Sequence, residues 1–362
     1  MVLMTPSNTK TIDWVQLRDK IRAWAADFGF QQIGIADTNL QQAENFLQQW
    51  LDKGFQGEMH YMEKHGDKRT RPQQLVAGTL RVISARMDYL PQAHSEMEAL
   101  LGKADKAYIS RYALGRDYHK VMRNRLQRLA DRIASEVGSF GYRVFTDSAP
   151  VMEKALAEKA GLGWIGKHTN LIQKDAGSWF FLGEIYTDLP LPADEATGSH
   201  CGTCEACIEC CPTGAIVAPF QVDARRCIAY LTIELKSSIP EELRPLVGNR
   251  IYGCDDCQLV CPWNRFASVT AEPDYKPRGE LLAPELIELF AWNESRFLSC
   301  FEGSAIRRIG HECWLRNIAV ALGNAPPNAE IIKALQQRLD DSSELVREHV
   351  RWALARQLQS GT

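Results

Sequence analysis

The stretch CGTCEACIECCP at residues 201–212 constrains this chain more than any other, because it places five cysteines within twelve residues. Four of them, Cys201, Cys204, Cys207 and Cys211, follow the spacing C-x2-C-x2-C-x3-C-P. In that spacing three thiolates hold one iron–sulfur cubane, and the fourth, next to the proline, reaches a second cluster. Structural zinc is the alternative, but zinc sites use C-x2-C pairs separated by a longer loop. The run therefore predicts two [4Fe-4S] clusters.

A second cysteine run supplies the ligands that the first one lacks. The segment IYGCDDCQLVCP at 251–262 repeats the motif, but Ile251 stands at the position of its first cysteine. We place Cys227, from DARRCIAY, as the ligand that this position lacks. The exchange of the fourth ligand then defines two sets. One cluster is predicted to bind Cys201, Cys204, Cys207 and Cys261, and the other Cys211, Cys227, Cys254 and Cys257. The remaining cysteines, Cys210, Cys300 and Cys313, are predicted to be small buried hydrophobic residues.

The composition places these clusters in a large globular protein. A chain of 362 residues with 45% hydrophobic content can build two or three cores without disulfides. Its eleven cysteines favour metal binding in a reducing cytosol. The first residues show no secretory signal and no segment is as apolar as a membrane span, so we expect a cytoplasmic protein. The net charge of −3 gives no general attraction to nucleic acid.

Helices and strands alternate before Pro192 and predict an α/β fold. The predicted helices are 11–30, 43–54, 117–137 and 148–163, and the predicted strands are 31–37, 81–90 and 142–147. All eleven cysteines follow the polar boundary LPLPADEATGSH. We therefore predict an α/β catalytic domain at 1–192, a ferredoxin-like two-cluster module at 193–270 and a helical region at 271–362.

The last part of the chain contains two similar segments, WLRNIAVALGN at 314–324 and LVREHVRWALARQ at 345–357. Their spacing is within the range of helical repeats and predicts HEAT-like helix pairs. An amphipathic bundle without repeats is the alternative.

Motifs for common cofactors are missing or incomplete. The chain has neither a G-x-G-x-x-G after a strand nor a Walker loop. The residues Asp117, Tyr118 and His119 begin the Asp-x-His-x-x-Gly signature of histidine-ligated cobalamin, but Met122 stands where glycine is required. We therefore predict that His119 is a surface residue on the first turn of a helix.

Asp147 is the candidate acid. It ends a predicted strand in VFTDSAPVMEKA, where strand ends of α/β folds face the ligand crevice. Asp147 or Ser148 could instead cap the helix that follows. If Ser148 is the cap, the carboxyl of Asp147 is free, and burial beside an apolar cofactor would raise its pKa and make it a proton donor.

Seven segments occur together in the order seen in epoxyqueuosine reductases, which this chain resembles over nearly its whole length. They are GDKRTRP, AYISRYALGRDYH, TDSAPVMEKALAEKAGLGWIGKHTNLI, GSWFFLGEIYTDLPL, the first cysteine run, RRCIAYLTIELK and GNRIYGCDDCQLVCPWN. The resemblance implies cobalamin bound by an α/β domain, two [4Fe-4S] clusters, and reduction of epoxyqueuosine to queuosine at the wobble position of tRNA. It also implies Asp147 as the proton donor. The implied cobalamin contacts are Arg69, Ser110, Asp147, Lys167 and Asn170.

The resemblance also implies partners. These are a tRNA anticodon stem-loop carrying epoxyqueuosine and a low-potential electron donor such as flavodoxin or ferredoxin; we expect a monomer. Two groups of basic residues are candidates for phosphate contacts. They are Arg111, Arg116, Lys120, Arg123, Arg125, Arg128 and Arg132, and Arg307, Arg308, Arg316, Arg347, Arg351 and Arg356. A reductive dehalogenase-like enzyme and a ferredoxin-type electron carrier are the competing interpretations.

Overall fold

The computed structural model describes residues 12–279 and 281–359. The helices are α1 (Trp14–Asp27), α2 (Gln41–Asp52), α3 (Pro72–Leu75), α4 (His94–Leu101), α5 (Tyr118–Val137), α6 (Glu153–Lys159), α7 (Ala206–Glu209), α8 (Arg244–Val247), α9 (Asp256–Leu259), α10 (Leu286–Phe290), α11 (Glu294–Cys300), α12 (Gly310–Asn324), α13 (Ala329–Gln336) and α14 (Glu344–Gln359). The predicted start of the first helix at Thr11 and the N-terminal segment without a signal lie outside the described residues.

The strands form one four-stranded sheet and three small pairs. They are β1 (Gln32–Ala36), β2 (Arg81–Asp88), β3 (Tyr108–Ile109), β4 (Tyr142–Phe145), β5 (Trp164–Ile165), β6 (Leu171–Ile172), β7 (Phe180–Thr187), β8 (Ile216–Ala218), β9 (Gln221–Val222) and β10 (Arg250–Tyr252). The large sheet has the order β1-β2-β7-β4, and its three pairings are antiparallel. The rule for strand ends in parallel sheets, which placed Asp147 in a crevice, therefore does not apply here.

Helices cover both faces of this sheet, and the mixed α/β fold is confirmed. On one face, α1 and α5 pack through residues such as Leu17, Ile21 and Leu126. On the other, α6 packs through Leu156 and Ala157. The sequence of β7, FFLGEIYT, is a nearly continuous apolar run because both faces of the strand are covered. Such a run is typical of a strand inside a three-layer fold.

A glycine in β1 allows α6 to approach the sheet closely. A Cβ atom at Gly34 would lie 1.9 Å from the carbonyl oxygen of Ala160, the residue that ends α6. No other residue type fits at this distance. The close approach holds α6, and the loop that precedes it, directly over β2 and β7.

The cysteine-rich segment and the C-terminal helices are joined to the first part of the chain. Strand β3 pairs in parallel with β10, and Ile109 and Leu114 share one hydrophobic core with Trp314 of α12. Helices α12 and α14, the segments that the predicted repeat relates, pack against each other. The C-terminal region is helical as predicted, while its HEAT-like nature and the two boundaries between the three predicted domains stay predictions.

None of the helices in the described ranges is both long and apolar enough to span a bilayer.

Candidate active site

The eight predicted cluster cysteines line two cavities. The main cavity, of about 350 Å³, is lined by Cys211, Cys227, Cys254 and Cys257. The second cavity, of about 190 Å³, is lined by Cys201, Cys204, Cys207 and Cys261. The structure thus brings together the two sets that the exchange of the fourth ligand predicts. Their role as ligands stays a prediction.

The thiols of the second cavity are crowded, as cluster ligands must be. Burial, and then the neighbouring thiols Cys261, Cys201 and Cys204, raise the pKa of Cys207 to about 11. Such thiols ionise only when a cationic centre binds them. In the described part of the chain, no three His, Cys, Asp or Glu side chains are arranged around a single metal ion. The donor set fits an iron–sulfur cubane, which spreads its four thiolates over a larger volume.

The three remaining cysteines differ in exposure. Cys313 is buried, as predicted, but Cys300 is exposed at the end of α11, so its predicted burial is wrong. Cys210 is half-buried, and its Sγ lies 3.6 Å from the carbonyl oxygen of Cys207. Cys300 is the last residue of the short helix α11, in which the buried residue is Phe297.

The main cavity also has an aromatic wall. The rings of Tyr118 and Phe181 stack with centroids 4.1 Å apart, and Tyr89 lies 4.5 Å from Phe181. His168 lines both cavities. Burial lowers the pKa of His168 to about 4, and in the described structure its buried Nε2 has no hydrogen-bond partner. A large, mostly apolar cofactor with polar edges would fit this wall and use that nitrogen, which the sequence analysis did not identify.

The structure brings only some of the predicted cobalamin contacts together. Ser110 and Asn170 line the main cavity, while Lys167 lines the second cavity. The hydroxyl of Ser110 donates to Asp255 at 2.6 Å. Arg69 lies on neither cavity wall; it is buried, donates to the carbonyl oxygen of Tyr61 at 2.9 Å and leaves its Nε without a partner.

Asp147 is held by two residues of α5. The hydroxyl of Tyr118 donates to its carboxylate, and Nε2 of His119 lies 3.2 Å from Oδ2. The other ring nitrogen of His119 lies 2.9 Å from Asp117, which also pairs with Arg308 from the C-terminal region. The predicted surface position of His119 is therefore wrong, because its side chain, only 15% exposed, is fixed between two carboxylates.

The Asp147 loop, residues 146–152, does not cap the next helix. Helix α6 begins only at Glu153, its N-cap residue is Met152, and it has no side-chain cap. Neither Asp147 nor Ser148 caps it, so the predicted capping role of Ser148 is wrong. The residue before a proline avoids the helical conformation, and Ala149 precedes Pro150. This keeps the chain non-helical here.

The pKa of Asp147 is lowered, whereas the sequence led us to expect a pKa raised by burial. Burial acts to raise its pKa, but the hydrogen bonds from His119 and Tyr118 outweigh burial and lower the pKa. The side chain is 53% exposed, so water contributes to the stability of the anion. For His119, burial acts to lower the pKa, but Asp117 and Asp147 raise it above its ordinary value.

Two further acidic residues, which were not predicted from the sequence, lie close to Asp147. Glu153, the first residue of α6, accepts a hydrogen bond from the backbone N–H of Asp147. Glu184 of β7 is fully buried and contacts Glu153. A glutamate inside the apolar strand FFLGEIYT was the available signal, since a buried carboxyl requires a specific reason.

Most of the predicted phosphate-binding residues are engaged elsewhere. Arg111 and Arg316 are buried, Arg125 pairs with Glu272, and Arg347 and Arg351 pair with Glu344. The guanidinium groups of Arg128 and Arg132 lie over the rings of Phe28 and Trp24. Among the candidates whose side chains remain available, Lys120, Arg123 and Arg307 are exposed.

Two sets of predicted cluster cysteines, beside an aromatic cavity wall and a loop that carries an ionisable carboxyl group, are typical of an iron–sulfur oxidoreductase, and the fold is mixed α/β. Residues 69–148 match the family model "Epoxyqueuosine reductase QueG, DUF1730", and residues 200–264 match that of the "4Fe-4S double cluster binding domain". The chain is 58% identical to the epoxyqueuosine reductase of Pseudomonas aeruginosa (98% of this chain, 99% of the relative) and 57% identical to that of Escherichia coli (97% and 92%). The chain belongs to the epoxyqueuosine reductase family.

Solved structures agree with this assignment. A Bacillus subtilis epoxyqueuosine reductase with its catalytic aspartate loop swung out of the active site is 27% identical, with a TM-score of 0.87, over 95% of this chain and 91% of the other. An epoxyqueuosine reductase with an epoxyqueuosine-modified tRNA stem loop is also 27% identical, with a TM-score of 0.86 and the same coverage. Membership brings the cofactors of the family, two [4Fe-4S] clusters and cobalamin, and sets aside the dehalogenase and electron-carrier interpretations.

Proposed function

We propose that this enzyme reduces epoxyqueuosine to queuosine in tRNA and that Asp147 supplies the proton to the departing epoxide oxygen. The observation that carries the proposal is the environment of Asp147, whose carboxylate is in contact with the Tyr118 hydroxyl and the His119 ring. The Tyr118 hydroxyl and the His119 ring can each carry a proton next to the Asp147 carboxylate. The catalytic aspartate loop seen in the Bacillus subtilis relative supports the same role for the Asp147 loop.

His119 is the group that returns a proton to Asp147. Asp117 accepts a hydrogen bond from one ring nitrogen, and this contact directs the other nitrogen at Asp147. The raised pKa of His119 favours its protonated form near neutral pH. When water leaves the cleft, burial acts more strongly on Asp147 and raises its pKa, so transfer from His119 becomes easier.

The cofactors supply the electrons. Cobalamin, when bound, would supply the reducing chemistry, and the clusters would supply single electrons. Of the predicted contacts, Ser110 and Asn170 would hold it in the main cavity, whereas Lys167 lines the second cavity and Arg69 neither of the two. The aromatic wall formed by Tyr118 and Phe181 keeps this space apolar.

The substrate enters as a base turned out of an RNA loop. Sequence-specific RNA recognition targets unstacked bases of loops, and enzymes that act on a base remove it from the stack. The relative with a modified stem loop supports a tRNA anticodon stem-loop as the substrate. Lys120, Arg123 and Arg307 are exposed, and they would bind its phosphates.

We infer the electron donor, the assembly and the location of the protein from its cysteines. Cys204 is exposed, so a low-potential donor such as flavodoxin or ferredoxin would deliver electrons to the cluster of the second cavity. All eight ligands come from one chain, which supports a monomer. Eleven free cysteines support a reducing, cytoplasmic location.

Single-turnover conversion of epoxyqueuosine in a tRNA stem-loop by pre-reduced enzyme tests the role of Asp147. The Asp147→Asn variant keeps size and hydrogen bonding but has no transferable proton, so the rate should fall about 10²-fold or more. Its iron content and cobalamin binding should equal those of the wild type. Asp52→Asn, at the exposed end of α2, is the control and should react normally. A wild-type rate in Asp147→Asn contradicts the proposal.

A further inference from the structure

Glu184 is a buried acid without an ionic partner. Its side chain lies on the face of β7 that α6 covers, with 0% of the residue exposed. In the described structure neither carboxyl oxygen receives a hydrogen bond from a donor group. The charged groups that act on it most strongly, Glu153 and Asp147, are themselves acidic. An isolated carboxylate in such a place is very costly, so Glu184 carries a proton.

The proton of Glu184 has one acceptor in direct contact, which is Glu153. The two carboxyl groups lie within hydrogen-bonding distance, and two carboxyl groups bond only when one of them is protonated. Tyr186, two residues along the same strand, lies near Glu184, but its buried hydroxyl makes no hydrogen bond. Burial raises the pKa of both acids, that of Glu153 to about 8 and that of Glu184 well above its ordinary value, so Glu184 is the last to lose its proton and is the donor to Glu153.

Glu153 uses its carboxyl group to fix the backbone of Asp147. Its Oε1 accepts the N–H of Asp147, which has a φ of 53°. This left-handed conformation is unfavourable for a residue with a Cβ and persists only where the surroundings impose it. Tyr118 and His119 hold the carboxylate of Asp147, and their contacts change when that group gains or loses a proton. Glu153 instead contacts the backbone N–H of Asp147, which neither gains nor loses that proton.

We propose that protonated Glu184 donates to Glu153 and thereby holds Glu153 against the backbone N–H of Asp147, which makes Glu184 a positioning residue for the Asp147 loop. A loop that must place a proton donor within hydrogen-bond reach of the substrate loses rate steeply when it is misplaced. The buried pair would keep the loop in the site through a catalytic cycle in which the Asp147 carboxyl group changes charge.

Two substitutions of Glu184 separate this role from a structural one. Glu184→Met keeps the approximate volume but removes the donor, whereas Glu184→Gln keeps a donor in the same place. A merely structural role predicts that methionine is neutral or stabilising, because replacing a buried polar group with an apolar one of similar shape often is. A positioning role predicts that Glu184→Met loosens the Asp147 loop and that Glu184→Gln keeps it in place.

The experiment measures hydrogen exchange and turnover in the cluster-loaded, cobalamin-bound enzyme. In Glu184→Met the Asp147 amide should exchange about tenfold faster, and kcat should fall about tenfold with KM for the modified stem-loop unchanged. The melting temperature should stay equal or rise. Glu184→Gln should keep wild-type exchange and kcat within about twofold.

Glu153→Ala should speed exchange at Asp147 as Glu184→Met does. Glu158→Ala is the matched control, because Glu158 lies on the same helix and accepts the backbone N–H of Ile165 at 2.7 Å. It should speed exchange at Ile165 and leave Asp147 unchanged. Wild-type exchange at Asp147 in Glu184→Met, or equal loss in Glu184→Met and Glu184→Gln, would overturn the inference.

The kinetic part of this inference rests on the proposed proton-donor role of Asp147, whereas the exchange part does not. If Asp147→Asn turns over like the wild type, the donor role fails, and the exchange rates still decide whether Glu184 positions the loop. If Asp147→Asn is inactive but Glu184→Met exchanges normally, the donor role stands and the positioning role fails.

Discussion

Replacing Arg316 should destabilise the protein and loosen one cluster. Arg316 lies in α12 with 0% of the residue exposed. Its guanidinium donates to the carbonyl oxygens of Leu235 and Ser237 at 2.8 and 2.7 Å, and to that of Leu231 at 2.7 Å. These carbonyl groups belong to the segment that follows Cys227, a predicted ligand of the main-cavity cluster. Arg316 therefore connects the C-terminal region to the electron path.

The size of the effect follows from the groups left without partners. Arg316→Met fills much of the volume but leaves three backbone carbonyls and the side-chain oxygen of Asn317 without their donor. Leaving a buried acceptor unpaired costs about 1–3 kcal/mol per group. Water and local relaxation reduce the sum, so we expect a loss of roughly 3–5 kcal/mol, as when one partner of a buried charged pair is removed.

The assay combines thermal unfolding with iron analysis under anaerobic conditions. The melting temperature of Arg316→Met should fall by about 5 °C or more, and iron should be lost from the main-cavity cluster during mild heating. The melting temperature of Arg316→Lys should lie between those of Arg316→Met and the wild type. A guanidinium spreads its donors over a plane and reaches three carbonyl groups, whereas a single ammonium group cannot reach all three. Arg351→Met, at an exposed ion pair with Glu344, is the control. If Arg316→Met melts like this control, the reasoning is refuted.

Three further outcomes are expected. Cys227→Ala should lose about half of the roughly eight irons per chain, and Cys300→Ala should lose none; full iron in the first variant would contradict the ligand sets. Arg123→Ala and Arg307→Ala should each weaken stem-loop binding and reduce its salt slope by about one, and unchanged filter binding would exclude them as phosphate contacts. Burial lowers the pKa of His349 to about 4, below its unfolded value, so this histidine stabilises the fold above pH ~6.5 and the contribution is lost as pH falls, by about 1 kcal/mol per unit. His349→Gln should flatten that slope of unfolding free energy between pH 6.5 and 5, and an unchanged slope would contradict the assignment.

The cysteine sets were predictable because their information is local. The ferredoxin spacing of the two runs, together with the exchange of the fourth ligand, predicts which thiols belong to one cluster, and the two cavities are lined by the sets so predicted. The long helices α1 and α5 could also be predicted from the sequence, because their buried residues recur at helical spacing. The antiparallel order of the sheet was not, because strand alternation alone does not fix the direction of pairing.

His119 shows why the proton site could not be predicted from local patterns. Its place on the first turn of α5 is typical of an exposed side chain, and that part of the prediction holds. Its burial is caused by Asp147, 28 positions later, and by Arg308 through Asp117. Contacts at such separations depend on the packing of the whole chain, so the sequence showed the helix and not its environment.

The same limit applies to the arginines of the C-terminal region. The sequence presents them as equivalent candidates for phosphate contacts, but the structure divides them by partner. Arg308 supports the proton site through Asp117 and His119, Arg316 supports the segment after Cys227, and Arg307 is exposed. Charge alone cannot separate these roles, because a buried cation and a solvated one are identical in the sequence.

The C-terminal region thus contacts both routes that the reaction needs. In the proposed mechanism, electrons pass the cluster whose predicted ligand Cys227 precedes the segment held by Arg316. Protons pass His119, which contacts Asp117, and Asp117 pairs with Arg308. Removing the whole region would expose the core that it shares with Ile109, so truncation cannot isolate either route. Single substitutions can: Arg308→Met should slow single turnover by pre-reduced enzyme, whereas Arg316→Met should act mainly on cluster retention. If both variants slow the same step equally, the two contacts do not serve separate routes.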